Sequence, residues 1–228
     1  MDMQLFGELK SLCIAAGFAR KGQAFFRIVG DGVLQVIKCK YERSLRGDML
    51  SVGLFSMYGD LLPQWFTASG CIPRYSILNC AAQNNRPLVH AAAFPTQLDM
   101  LKNQVLPWLD SIDTQKNLVR AISRLDPRWN DSLKIGAYLA CGQGNHAKKV
   151  LREILSQHDF ARSNGSRHLL ESNGMMFLRQ EQEDDDLLSL LELIDRDDPD
   201  DLHAYLMCNY ERNMSYAKFC AKTSQKQS

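Results

Sequence analysis

The 228-residue chain carries 27 Lys and Arg against 26 Asp and Glu, a net charge of +1, with 45% apolar residues. Those are the proportions of a globular protein, long enough for one large domain or two small ones, that buries a core without metal or disulfide staples. No run reaches the roughly 18 uncharged apolar residues of a membrane span. The opening Met1-Asp2-Met3-Gln4 also lacks a basic region followed by an apolar stretch, so no secretory signal is expected and a cytoplasmic location is. Seven cysteines at irregular spacings include no Cys-x-x-Cys pair, which argues against a zinc ribbon or a dithiol redox motif and for reduced thiols among apolar neighbours.

In chain order, the spacing of Leu5, Leu9, Leu12 and Cys13 predicts an amphipathic helix to about Ala15, with Gly17 as a left-handed terminator. Ala24 to Val29 is rich in aromatic and β-branched residues and reads as a strand. Gly30-Asp31-Gly32 supplies positive φ angles for a tight hairpin, and Val33 to Tyr41 forms its return strand. Along that strand Leu34 and Val36 share a face with Lys38 and Lys40, so the face turns from apolar to basic toward the exit. Met49 to Tyr58 reads as a third strand with Gly53 as a bulge. Tyr75 to Cys80 fits a strand or a helix. Leu98, Leu101, Val105 and Leu106 then mark a helix that Pro107 kinks or ends.

Beyond about Asp113 the pattern becomes helical. Thr114 opens a helix through Leu118, Val119 and Ile122. Asp131 opens another, and Gly142-Gln143-Gly144 turns it into a second containing Ala147, Val150 and Leu151, a helical hairpin. Ser156 to Asp186 reads as a polar surface excursion. Asp198-Pro199-Asp200-Asp201 is a helix start, with a cap, a first-turn proline and acids at the positive end of the helix dipole. The expected fold class is α+β. Residues 1–112 form a helix and antiparallel-sheet domain, and 113–228 form a helical portion with the excursion near 156–186.

Leu9-Lys10, Gly17-Phe18, Lys21-Gly22, Phe25-Phe26-Arg27 and Leu34-Gln35-Val36-Ile37 resemble a family of uncharacterised bacterial domains that open with an LKxxGFxxKGxxFxR stretch, a hairpin and an xQVI strand. The resemblance covers the first 60 residues well and extends loosely to about Asp126. Lys40-Tyr41-Glu42-Arg43-Ser44 departs from the Gln-Lys-Ser expected after the second strand. The resemblance implies an interaction or toxin-neutralising protein and brings no active site with it. Ala137 to Leu155 is similar to one unit of a tetratricopeptide-type repeat, but no second copy follows near a 34-residue period.

The balanced net charge conceals segregation. From Lys10 to Arg46 eight basic residues face two acids, a net of +6, and from Glu181 to Asp201 eleven acids face Arg196 alone, a net of −10. Gly17 to Gln23 has glycines at phosphate-loop spacing but ends in Gln and runs into a strand, and no GxGxxG, GxSxG or HExxH is present. The five histidines lack metal-ligand spacing. Asp31 with Lys38 or Lys40 hints at a metal nuclease, but Gln35 and Ile37 stand where its second carboxylate belongs. Cys141 with His146, and Cys80 with His90, are the two candidate nucleophile and base pairs.

The reading is therefore a non-enzymatic protein-binding module, immunity-like in neutralising a toxin, with no metal or cofactor and no membrane partner. Its expected partner-binding set is Arg27, Lys38, Lys40, Tyr41, Arg43 and Arg46. A hydrolase using Cys and His between the two halves is one alternative. The other is a nucleic-acid binder that uses the same basic rim, although the sequence pI near 7.6 is low for that role.

Overall fold

The computed structural model describes residues 3–42, 47–59, 75–76, 94–125, 131–163 and 174–225. Helix α1 (Met3–Ala15) is followed by strands β1 (Ala19–Lys21), β2 (Ala24–Val29), β3 (Val33–Glu42), β4 (Gly47–Ser56) and β5 (Tyr75–Ser76). These pair in sequence order as an antiparallel five-stranded sheet. Then come α2 (Phe94–Met100), a π-helical turn (Leu101–Val105), α3 (Leu106–Asp110), α4 (Gln115–Leu125), α5 (Asp131–Ala140), α6 (Gly144–Ser163), α7 (Gly174–Arg196) and α8 (Pro199–Gln225). The α+β class is as expected from the sequence.

Local chemistry explains the ends of the elements. Gly17 adopts φ 82°, its N–H donates to the Ile14 carbonyl, and the Phe18 N–H reaches back to Cys13. That is the glycine-terminated double bond that satisfies a helix's last carbonyls. The same device recurs after α5, where Gly142 has φ 69° and the Gln143 N–H donates to Tyr138 at 2.8 Å. At the start of α8 the Asp198 carboxylate accepts the N–H groups of Asp200 and Asp201, the capping its sequence implies.

One expectation is corrected and three are made more specific. Gly53 is no bulge: it pairs in regular register with Val36, and a β-carbon there would lie 2.7 Å from the Phe55 ring, so glycine makes room for an aromatic side chain. Pro107 does not end its helix. The Leu106 N–H bonds to Leu101, one residue further back than in an α-helix, and this π turn carries the chain past a residue that has no N–H to give. The polar excursion is helical wherever it is described, with α6 running to Ser163 and α7 starting at Gly174. Of Tyr75 to Cys80, Tyr75 and Ser76 are strand and the rest lies outside the described residues.

Both faces of the sheet are covered. Phe25, Val33, Ile37, Cys39, Leu50, Val52 and Leu54 pack against Leu9 and Cys13 of α1 and against α2 to α4. On the opposite face Phe26, Leu34, Val36, Phe55 and Met57 pack against Ala217, Tyr210 and Met214 of α8. A third core lies among the later helices and joins Ile135 and Leu139 of α5, Leu151 of α6, Ile194 of α7 and Leu206 of α8. Helix α8 thus belongs to the bundle at one end and to the sheet at the other, and the cores run across the boundary expected at residue 112. Asn213, fully buried, donates to the carbonyls of both Met57 and Gly59 at 2.8 Å, and Asn209 donates to that of Tyr58. These bonds hold α8 to the end of β4.

Candidate functional site

Arg27, the first residue of the expected rim, points inward. Its side chain is 13% exposed and forms an ion pair with Asp110. It also donates to Gln35 Oε1 at 2.9 Å and to the Ala16 carbonyl at 2.7 Å, while its guanidinium lies 4.4 Å over the Phe18 ring. Gln35, fully buried, donates in turn to the carbonyls of Leu109 and Ile112. Arg27 thereby ties α1, β2, β3 and α3 together and turns no charge outward. Lys38 is half-buried on β3. Lys40 and Tyr41 occupy β3 opposite Met49 and Asp48, with side chains outside the described set, and Arg43 and Arg46 lie outside the described residues.

Among the described residues, the groups considered for catalysis are not assembled into a site. Asp31 locks its hairpin: its carboxylate accepts the Gln115 N–H at 3.2 Å and its carbonyl accepts the Gln115 side chain. The nuclease-like position is filled by structural Gln35, and no cluster of three His, Cys, Asp or Glu among the described residues is placed to hold a metal ion. Among the described residues no hydrogen bond joins Cys141 to His146. Instead His146 stacks on Tyr138 at 5.5 Å, and burial, followed by the nearby Asp31 charge, pushes the Cys141 thiol up, away from the reactive thiolate. Cys80 and His90 lie outside the described residues.

Burial likewise pushes Cys13 up to about 12, and Cys39 is buried while Cys208 is exposed. Brief alkylation of the native protein at neutral pH, mapped by peptide mass, should therefore label Cys208 and spare Cys13 and Cys39. Early label on Cys13 would contradict this packing.

Among the described residues, the strongest exposed charge is on the later helices. Asp185, Asp186 and Glu192 of α7, Asp197 and Asp198 of the connecting turn, and Asp200 and Asp201 of α8 are all exposed. Among them lies Leu188, 47% exposed, one of three large apolar side chains so placed among the described residues. It stands three residues after Asp185 and four before Glu192, so both acids flank it on one helix face. The acidic segment finds its described ion-pair partners on α6 and on Arg196. Asp195 bonds Lys148 at 2.9 Å and lies 3.9 Å from Arg152, and Arg196 reaches Asp201 at 3.4 Å.

Lys148, Lys149 and Arg152 line an open groove of about 500 Å³ along α6 together with Asn145, Glu153 and Ser156. In the sequence the signal of this helix is its apolar stripe of Ala147, Val150 and Leu151, and the cationic stripe beside it forms no motif of its own. The hydrogen bond from Lys148, aided by the charges of Lys148 and Arg152, holds the Asp195 carboxyl below its ordinary value of 3.8. Any stability from this exposed pair is present above the ordinary carboxylate range and is lost as pH falls through the lowered value. NMR titration should place the Asp195 midpoint below 3.8 in the native chain and return it upward in Lys148→Gln. An unshifted midpoint would deny the bond.

No family model, curated protein or solved structure matches this chain. Among the described residues, no helix is long and apolar enough to cross a membrane.

Proposed function

We propose that this chain is a non-enzymatic cytoplasmic binding protein whose α7–α8 face engages a basic surface on another protein. The observation that carries the reading is the exposed Leu188 with Asp185 and Glu192 beside it and the acids of 197–201 on the adjoining turn. An apolar side chain that desolvates at the centre of a contact, inside a rim of like charges, is how interfaces combine affinity with selection for the opposite charge. Among the described residues, the structural bonds of Asp31 and Gln35 and the stacking of His146 on Tyr138 support binding over hydrolysis. A partner that itself acts on nucleic acid, with a cationic cleft the acids would cover, is the immunity-like form of this reading.

The test is binding to basic proteins encoded beside its own gene, measured with the native chain and with the triple variant Asp185→Asn, Leu188→Ser, Glu192→Gln. A partner should associate quickly at about 50 mM salt and at least tenfold more slowly at about 500 mM, and the variant should bind it poorly. Absence of any partner, or equal binding by the variant, overturns the reading.

A further inference from the structure

Apart from the acidic face, the structure points to the α6 groove as a second docking surface, and we propose that its occupant is an acidic peptide segment, recognised by its side-chain carboxylates. The groove follows one stripe of a single helix, since Asn145, Lys148, Lys149, Arg152, Glu153 and Ser156 recur at three- and four-residue spacings. From Asn145 to Ser156 the stripe is about 16 Å long at a rise of 1.5 Å per residue, enough for about five residues of extended chain at 3.3 Å each. Lys149 and Arg152 are widely exposed, at 76% and 64%, and among the described residues the side chains of Asn145 and Ser156 make no hydrogen bond that would withdraw them from a ligand.

The groove already demonstrates its preference. Asp195, reaching across from α7, sets a carboxylate between Lys148 at 2.9 Å and Arg152 at 3.9 Å. Its side chain is 47% exposed, so an incoming carboxylate can displace it without disturbing the cores. Asp195 is then an internal competitor for the same two cations. Glu153, 3.9 Å from Lys149 and also lining the groove, opposes a densely charged phosphate backbone more than a peptide whose carboxylates are spread along one side. Arg152 adds the planar fork that suits a carboxylate, and Lys148 and Lys149 add point charges.

The experiment is titration of the intact protein with a fluorescent hexaglutamate peptide at low salt, and in parallel with a single-stranded oligonucleotide of equal charge. The peptide should bind the native chain weakly and Asp195→Asn several-fold more tightly, because the competitor is gone. Lys148→Gln with Arg152→Gln should abolish binding. A purely structural Asp195 would instead cost stability and leave peptide affinity unimproved. Four results overturn the proposal: no peptide binding by either the native chain or Asp195→Asn, no gain in peptide affinity in Asp195→Asn, binding indifferent to Lys148 and Arg152, or an oligonucleotide bound as tightly through the same residues. Thermal melts of each variant separate loss of the site from loss of the fold.

Discussion

Gly136→Ala is expected to destabilise the protein by about 2–3 kcal/mol, the upper part of the range for overpacking a filled interior. Gly136 lies inside helix α5, where alanine would ordinarily be favoured over glycine by about 1 kcal/mol. Here the added β-carbon would lie 2.5 Å from the Gly59 nitrogen, 2.6 Å from its Cα and 2.8 Å from the Tyr58 carbonyl carbon. All three are backbone atoms, so no rotamer change relieves the clash. The segment they belong to is also held by Asn209 and Asn213 of α8, which limits how far it can yield. For a chain of this size the loss corresponds to a fall in Tm of about 4–12 °C. Gly7→Ala in α1, where nothing lies within 4 Å of the added carbon, should raise Tm slightly or leave it unchanged. Equal effects at the two positions in thermal melts would show that α5 does not approach β4 this closely.

Gln35→Leu should cost about 3 kcal/mol in urea unfolding, because it removes three hydrogen bonds from a fully buried site without supplying a substitute. The Ile112 carbonyl loses a donor near the end of α3, and Arg27 loses an acceptor while it stays pinned by Asp110 and Ala16. Gln35→Glu should fare little better. It keeps an acceptor for Arg27 but turns an oxygen toward the Leu109 and Ile112 carbonyls. The double variant Arg27→Met, Gln35→Leu should lose less than the sum of the two single variants, since they share one bond. Native-like stability of Gln35→Leu would show that the network contributes nothing.

The contrast between Arg27 and the acids at 197–201 shows how far a site can be read from a chain. The acids follow a helix terminus and precede a capped helix start, a local arrangement that keeps them exposed whatever the rest of the molecule does. Arg27 also counted as a surface charge, yet its carboxylate partner lies 83 residues away in sequence, and no local pattern connects the two. The stripe of Lys148, Lys149 and Arg152 was visible at i, i+1 and i+4. Its meaning depended on Asp195 of another helix coming within 2.9 Å.

Short-range chemistry by itself determined the elements at the start of the chain, the ends of α1 and α5 and the start of α8. Gly17, Gly30, Gly32 and Gly142 take the positive φ angles their turns require, and Asp198 caps the helix that follows it. These are decisions a backbone makes over a few residues. Tertiary structure alone decided what covers the second face of the sheet. Phe26, Leu34 and Val36 are apolar opposite an equally apolar set of Phe25, Val33 and Ile37, and a strand apolar on both sides needs two layers over it. Which segment supplies the second layer depends on the burial available after the whole chain has collapsed. That role falls to α8, which enters it through Asn213 and Ala217, more than 150 residues beyond the carbonyls Asn213 holds.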